Sequence, residues 1–286
     1  MRRLATLAAL PALFATAALA AEPVTPAPVV AAERAFAADG YRMGFKASFL
    51  KHSAPEAIVI QPEPVNAHES LAKAPDGKPD DPKLEWWPVF AAIAKSGDLG
   101  FTTGPYAVAG KRRGHYFTVW KKLLNGEWKW LFDGGTPSDA SGASGPGGPV
   151  GFLKVADVPP MDPAQALAEV FAVEDALATV ALTDLKAGFL TVYACDGRMQ
   201  GSALPPAETC EAAEVEMATR PASARLKTLG GEASQAGDLV WTYGVMDWSG
   251  IGGETKGHYV RVWQRRADGW RIVFDELLVP PPPRSN

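Results

Sequence analysis

The hydrophobic and polar positions of the chain predict helices followed by strands, and this order occurs twice. Phe36, Met43, Phe45 and Phe49 lie broadly on one face at helical spacing, which predicts an opening helix. Residues 167–193 offer a similar opening helix in the second half. A shorter helix follows each of them, and the remaining segments have the character of strands. The pattern therefore predicts an α+β fold for each half of the chain.

The starts of the two shorter helices carry local signals. Asn66 stands three residues before Glu69, a spacing typical of a capping pair at a helix N-terminus. Pro205 and Pro206 mark a similar start in the second half, because proline is favoured in the first turn of a helix.

One pair of segments is ambiguous between helix and strand. Residues 84–96 could form a short helix, but their counterpart, residues 224–236, contains Gly230 and Gly231, which disfavour a helix. If both halves adopt one structure, both segments are strands. Pro88 then lies at a sheet edge or at a bulge.

The two halves also match in sequence, with a nearly constant separation. Residues 97–104 resemble residues 237–244, and residues 114–120 resemble residues 257–263. Two further matches pair Trp128, Phe132 and Asp133 with Trp270, Phe274 and Asp275, and pair Gly44, Phe45 and Phe49 with Gly188, Phe189 and Tyr193. Four blocks in one order indicate that the chain is a duplication of one unit.

The beginning of the chain has the pattern of a cleavable signal peptide. Arg2 and Arg3 precede an apolar run, and Ala18-Leu19-Ala20 has the small residues of a cleavage site. A retained membrane anchor is the alternative, although the run is short for a membrane span and contains Pro11. Residues 1–20 are therefore predicted as a signal peptide, and the mature protein is expected in the periplasm or outside the cell.

Composition sets the remaining boundaries. Residues 138–154 are rich in Gly, Pro and Ser, which is typical of a flexible linker. The predicted division is a first domain at 29–137, this linker, a second domain at 155–279, and a disordered tail at 280–286.

The only cysteines are Cys195 and Cys210. In an exported protein an isolated pair indicates a disulfide, and two buried thiols are the alternative.

The matched motifs resemble the SnoaL-like branch of the nuclear-transport-factor-2-like superfamily. The resemblance is carried by the hairpin at 97–104, the Gly-His-Tyr strand at 114–120 and the closing strand that ends at Asp133, with their counterparts in the second half. It implies two tandem cone-shaped α+β domains, each with N-terminal helices packed on a curved antiparallel sheet that leaves a pocket at its open end. It also implies pairing of sheet against sheet, so the two domains could pair within the chain as a pseudo-dimer. It does not imply one function, because the superfamily includes isomerases, cyclases, hydrolases and proteins without a known reaction.

The candidate pocket residues are aromatic, acidic or basic side chains on the matched strands and near them. They are Trp86, His115, Tyr116, Trp120, Asp133, Tyr243, His258, Tyr259, Arg261, Trp263 and Asp275. Core packing is the alternative for each tryptophan, and turn capping for each aspartate. Residue types kept in both halves are expected to serve the fold, and a site unique to one half is expected among the differences, such as Tyr243, Arg261 and Glu276.

Charge and motifs exclude several classes of function. The formal net charge is −4, with no basic patch for nucleic acid. No metal-ligand spacing, phosphate loop or nucleophile elbow is present, so no cofactor is predicted. No later segment of the sequence is long and apolar enough to span a bilayer, so stable membrane insertion is not predicted either. The sequence favours binding of a small apolar or amphipathic molecule without catalysis. An enzyme of the isomerase, cyclase or hydrolase type, and an interaction module of the cell envelope, are the alternatives. A deep pocket with a buried acid beside a tyrosine would favour the enzyme.

Overall fold

Each half of the chain begins with helices and ends in a twisted sheet. The computed structural model describes residues 23–78, 80–250 and 253–280. The first unit contains α1 (Ala27–Met43), α2 (Phe45–His52), β1 (Ser53–Ile60), β2 (Pro64–Asn66), α3 (Ala67–Lys73), β3 (Leu84–Trp86), β4 (Phe90–Ile93), β5 (Leu99–Val108), β6 (Lys111–Lys122), β7 (Trp128–Pro137) and β8 (Gly151–Phe152). The second unit contains α4 (Pro163–Ala181), α5 (Leu185–Val192), β9 (Tyr193–Gln200), α6 (Cys210–Ala218), β10 (Arg225–Ala233), β11 (Leu239–Gly250), β12 (Gly253–Arg266) and β13 (Gly269–Leu278). The predicted signal peptide at 1–20 and residues 281–286 of the predicted tail lie outside the described residues.

The two sheets have related strand orders. The first runs β2-β1-β7-β6-β5-β4-β8, with β3 beside β5, and the second runs β10-β11-β12-β13-β9. Most neighbours are antiparallel, but β1 pairs with β7, β4 with β8 and β9 with β13 in parallel. The α+β class of two cone-shaped units is confirmed, and each sheet is mixed rather than purely antiparallel.

The opening helix of each unit is broken, whereas the sequence predicted one continuous helix. Gly44 interrupts the first, because its positive φ of 84° is a conformation that favours glycine. The break lets α2 fold back, so that the rings of Phe36 and Phe49 meet at 4.7 Å. Met43 and Phe45, next to the break, remain 42% and 45% exposed. The prediction that these four residues share one helical face is therefore wrong.

The shorter elements follow the sequence more closely. The Asn66 side chain accepts a hydrogen bond from the Glu69 backbone N–H at 3.1 Å, which confirms the predicted cap. In the second unit, α6 begins at Cys210 after the capping residue Thr209, and not at the earlier Pro-Pro pair. The ambiguous segments at 84–96 and 224–236 both contain strands, as predicted, and Pro88 lies in the gap between β3 and β4.

The two sheets contact each other through aromatic side chains. Phe117 of β6 stacks on Phe274 of β13 with ring centroids 3.6 Å apart. The matched hairpin turns also bond to each other, since Asp238 accepts from the Lys95 backbone at 2.8 Å and Asp98 accepts from the Gln235 backbone at 3.0 Å. One continuous apolar cluster therefore includes residues of both units.

The segment expected to be a flexible linker is held against the first unit. Its β8 residues pair with Phe90 and Ala91 of β4, and Leu153 is buried. The Arg112 side chain donates to three backbone carbonyls of this segment, those of residues 140, 141 and 143. The composition of the segment predicts flexibility, but composition does not indicate the hydrogen bonds that hold its backbone against the first unit.

Cys195 of β9 and Cys210 of α6 form a disulfide, with Cα atoms 4.6 Å apart. The bridge ties the first turn of α6 to the sheet. In the part of the chain that the structure describes, no helix is both long enough and apolar enough to cross a bilayer.

Candidate functional site

A buried glutamate on α1 forms the base of the first cone. Glu33 is fully buried and accepts hydrogen bonds from the indole N–H groups of Trp86 at 2.6 Å and Trp120 at 2.9 Å, and from the Thr102 hydroxyl. Burial raises the pKa of Glu33, although these hydrogen bonds oppose the rise. No basic side chain among the described residues makes an ion pair with it.

A cavity of about 270 Å³ opens above this base. Most of its wall is aliphatic or aromatic, and the aromatic part consists of Phe45, Phe49, Trp86, Tyr106, Tyr116 and Phe132. Leu278 of the second unit also lines it, so the cavity lies beside the contact between the units. Its volume is slightly below the range of about 300–1,000 Å³ common for small-molecule sites, which fits a compact ligand.

Two polar side chains of the cavity wall carry its chemistry. Asp133 accepts a hydrogen bond from the Thr118 hydroxyl at 2.7 Å. Burial raises the pKa of Asp133 well above its usual range, and the nearby Glu33 raises it further. Burial therefore disfavours the ionised form of Asp133.

The Tyr116 hydroxyl is the second polar group. The Tyr116 residue is 5% exposed, and its hydroxyl has no hydrogen-bond partner among the described residues. The Thr102 hydroxyl is near it but donates to Glu33. Burial raises the pKa of Tyr116, so its O–H remains a neutral donor. A buried hydroxyl without a partner indicates a place where a ligand group or a water molecule binds.

The corresponding interior of the second unit is filled by charged side chains. Glu174 of α4 accepts from Thr242 at 2.7 Å and from the Trp263 indole at 3.0 Å. Arg261 lies between Glu174 and Asp275, donating to Asp275 at 2.8 Å and to Glu174. Arg261 is 1% exposed, so its guanidinium group occupies this interior.

Two further side chains, Arg220 and Tyr259, contact the buried carboxylates of this cluster. Arg220 forms a second ion pair with Asp275 at 2.6 Å, and the Tyr259 hydroxyl donates to Glu174 at 3.3 Å. Although burial lowers the pKa of Arg261, the charges of Glu174 and Asp275 raise it above its ordinary value. The buried carboxylates of the second unit are thus paired with the buried guanidinium groups of Arg220 and Arg261.

Three predicted pocket residues lie outside both interiors. His115 faces a separate cleft, where its Nδ1 is 2.8 Å from the Ser138 hydroxyl, and burial lowers its pKa to about 4. His258 contacts Glu63 of the first unit at 3.0 Å. Tyr243 stacks on Trp241 and packs against the core that the two sheets share.

The structure brings the other candidates into two groups. Trp86, Tyr116 and Asp133 line the first cavity, and Trp120 supports it from below through Glu33. The second group consists of Tyr259, Arg261, Trp263 and Asp275, which surround Glu174.

Sequence reasoning missed the two glutamates. Glu33 and Glu174 are 141 residues apart (33 to 174), which is close to the separation of the matched strands. An acidic residue on the buried side of both opening helices, in the same register, was the signal that could have identified them. Tyr106 and Arg220 were also missed, and neither belongs to a matched motif.

No group of three or more His, Cys, Asp and Glu side chains within residues 23–78, 80–250 and 253–280 is arranged to hold a metal ion.

No protein-family profile matches the chain, and no curated protein matches it. Among solved structures, a nuclear-transport-factor-2-like protein of unknown function from Pseudomonas putida is 11% identical, with a TM-score of 0.36 over 43% of this chain and 93% of that one. A nuclear-transport-factor-2-like superfamily protein from Salmonella enterica is 11% identical, with a TM-score of 0.34 over 43% of this chain and 96% of the other. A ketosteroid isomerase-like protein from Erwinia carotovora is 16% identical, with a TM-score of 0.33 over 40% of this chain and 98% of the other. Each alignment therefore covers less than half of this chain and nearly all of the other protein.

Proposed function

We propose that the first unit binds a small molecule with a mostly apolar body and one polar group beside Asp133 and Tyr116. The observation that carries this proposal is the cavity of about 270 Å³, which is lined by aromatic and aliphatic side chains and has few polar atoms. Apolar walls supply affinity through burial, and a few polar groups fix the orientation of a ligand. The Tyr116 hydroxyl, which lacks a partner, is one such group.

An enzyme is the second candidate, because a buried acid beside a tyrosine is an arrangement that favours catalysis. Burial raises the pKa of Asp133, which suits an acid–base catalyst as well as a binding carboxyl group. The other residues of the wall favour binding instead. Apart from Asp133, the wall of the cavity contains no carboxylate and no histidine among its described residues. Within the described residues, the wall therefore does not supply Asp133 with the second carboxylate or histidine of an acid–base pair.

The second unit contributes structure in this proposal, since its cone is filled by Arg261 and its partners. The protein acts in the periplasm or outside the cell. The Cys195–Cys210 disulfide supports this location, because such bridges persist in oxidising compartments.

Native mass spectrometry of the protein purified from the cells that make it tests this function. We expect a bound small molecule on the wild type. Ile60 lines the cavity, so Ile60→Trp should fill it and remove the adduct. Leu182→Trp is the matched control, because Leu182 is 55% exposed and belongs to the second unit. An adduct that survives Ile60→Trp, or a wild type that binds neither a cellular compound nor added 2-phenylethanol, would contradict the proposal.

A further inference from the structure

The surroundings of Arg261 in the second unit form a complete guanidinium site. Its guanidinium group contacts the carboxylates of Glu174 and Asp275. It also lies 3.7 Å from the ring centroid of Tyr259 and 5.0 Å from that of Phe189. Two acids and two aromatic faces are a favourable environment for an organic cation.

Each of these four groups has a counterpart in the first unit at a nearly constant separation. Glu33 corresponds to Glu174 (33 to 174), and Asp133 corresponds to Asp275 (133 to 275). Tyr116 corresponds to Tyr259 (116 to 259). Phe49 corresponds to Phe189 (49 to 189), because each is the fifth residue of an eight-residue helix that leads into a strand. The position of Arg261 itself is occupied by a threonine, Thr118 (118 to 261). The first unit therefore has the two acids and two aromatic rings that surround the guanidinium group in the second unit, but no guanidinium group between them.

The cavity lies where that group is missing. Asp133, Tyr116 and Phe49 all line it, and the Thr118 hydroxyl donates a hydrogen bond to Asp133. Among the described residues, neither Glu33 nor Asp133 has a basic partner. The Tyr116 hydroxyl, more than nine-tenths buried, also lacks a partner.

We infer that the ligand of the first-unit cavity is an organic cation, a primary amine or guanidinium group on an apolar body. This inference rests on the proposed function and names its ligand class. The cationic group binds at Asp133 and over the Tyr116 ring, as Arg261 does within the second unit. The apolar body packs against the remaining aromatic side chains of the wall.

Binding is coupled to proton release. A cation favours the ionised form of Asp133, which burial disfavours. The titratable groups that face Asp133 or the cavity are Glu33 of α1, Tyr116 of β6, Tyr106 of β5 and Glu276 of β13. Affinity for a cation therefore rises with pH, and affinity for a neutral probe of the same shape does not.

Three probes of one shape test the charge requirement by isothermal titration calorimetry on the full chain. These are 2-phenylethylammonium, 2-phenylethanol and 3-phenylpropionate. At pH 8 we expect the ammonium to bind about tenfold or more tightly than the alcohol, since both the Tyr116 ring and the Asp133 carboxylate favour a cation. Equal or tighter binding of the alcohol or the propionate would overturn the cation inference and leave the proposed function standing. If none of the three binds, both fail.

A pair of variants tests the same site without a ligand. Thr118→Arg supplies the guanidinium group internally, and Thr118→Met supplies a side chain of similar length without charge. We expect Thr118→Arg to abolish ammonium binding, because the arginine occupies the place of the ammonium group. We also expect it to melt about 3 °C or more above Thr118→Met, because the arginine favours the ionised form of Asp133 and pairs with it. A melting temperature of Thr118→Arg equal to or below that of Thr118→Met would show that the acids do not accept a cation, and would overturn the inference.

Discussion

Replacement of Glu276 by Gln should make the stability of the protein less sensitive to pH. Glu276 is fully buried on β13 where the two sheets meet. Its Oε1 accepts a hydrogen bond from the Gln200 amide at 2.7 Å, while its Oε2 and the neighbouring Thr136 hydroxyl lack well-formed partners. Burial raises the pKa of Glu276 to about 8. The carboxyl group is therefore protonated in the folded protein at neutral pH.

The direction of the effect follows from proton linkage. An unfolded chain gives the group its ordinary pKa of 4.5, so between pH 4.5 and about pH 8 the folded state of Glu276 holds one proton more. This contribution to stability is complete below pH 4.5 and is lost as the pH rises through about 8. The free energy of unfolding should fall by about 1.4 kcal/mol per pH unit inside this window, or about 5 kcal/mol across it. A glutamine has the same shape and does not titrate.

Urea unfolding of the wild type and Glu276→Gln at several pH values between 5 and 9 measures this difference. The other buried acids, Glu33 and Asp133, titrate in both proteins, so the difference reports on Glu276 and on its charge interaction with Asp133. Glu214→Gln is the control, because Glu214 is exposed and pairs only with Lys186 at 3.7 Å. We expect the variant to gain stability relative to the wild type as the pH rises. Parallel curves for wild type and Glu276→Gln would refute the reasoning.

Three further changes test the rest of the framework, each by urea or thermal denaturation. Replacement of Cys195 and Cys210 by Ser should lower the free energy of unfolding by about 3 kcal/mol, since the bridge closes a short loop, and an unchanged midpoint would contradict a stabilising bridge. Phe274→Ala should cost about 3–5 kcal/mol, because the ring is fully buried between the sheets; a loss below about 1 kcal/mol would contradict that packing. Arg261→Met should cost about 3–5 kcal/mol by leaving two buried acids without their shared cation, whereas the exposed Arg225→Met should cost little, and equal losses would contradict the ion cluster.

The strand half of each unit could be predicted from the sequence because its signals are local and occur twice. Turn residues such as Asn125-Gly126 and Asp268-Gly269 mark the hairpins between alternating segments, and both turns are present. The glycine pair that makes residues 224–236 a poor helix also settled the ambiguous segment of the first unit. In this way, one half of the chain supplied evidence about the other.

The helical half was predicted less well, because the break at Gly44 was overlooked. On one straight helix Phe36 and Phe49 would lie about 140° apart (13 × 100° = 1300°), so their rings meet only because the chain forms two helices there. The parallel strands β1 and β9 were missed for a related reason. Each begins directly after a helix, and its partner is distant in sequence.

The comparison of the two halves led to candidates that the structure places in different surroundings. Tyr116 and Asp133 belong to motifs shared by both halves, and they line the cavity of the first unit. Arg261 is unique to the second half, and it fills the interior of that unit. The sequence could not show this, because the difference depends on which buried acids have a cation beside them.

Strand β13 explains how a filled second unit still contributes to the cavity of the first. Side chains alternate along a strand, so Phe274, Glu276 and Leu278 face the first unit while Asp275 faces the interior of the second. Leu278 forms part of the cavity wall, and Phe274 stacks on the first sheet. The ion pairs of Asp275 fix the opposite face of the same strand. Because packed interiors transmit displacement, a second cone with an empty interior would hold this strand less firmly. We therefore expect Arg261, which fills the interior of the second unit, to stabilise a wall of the cavity in the first unit as well.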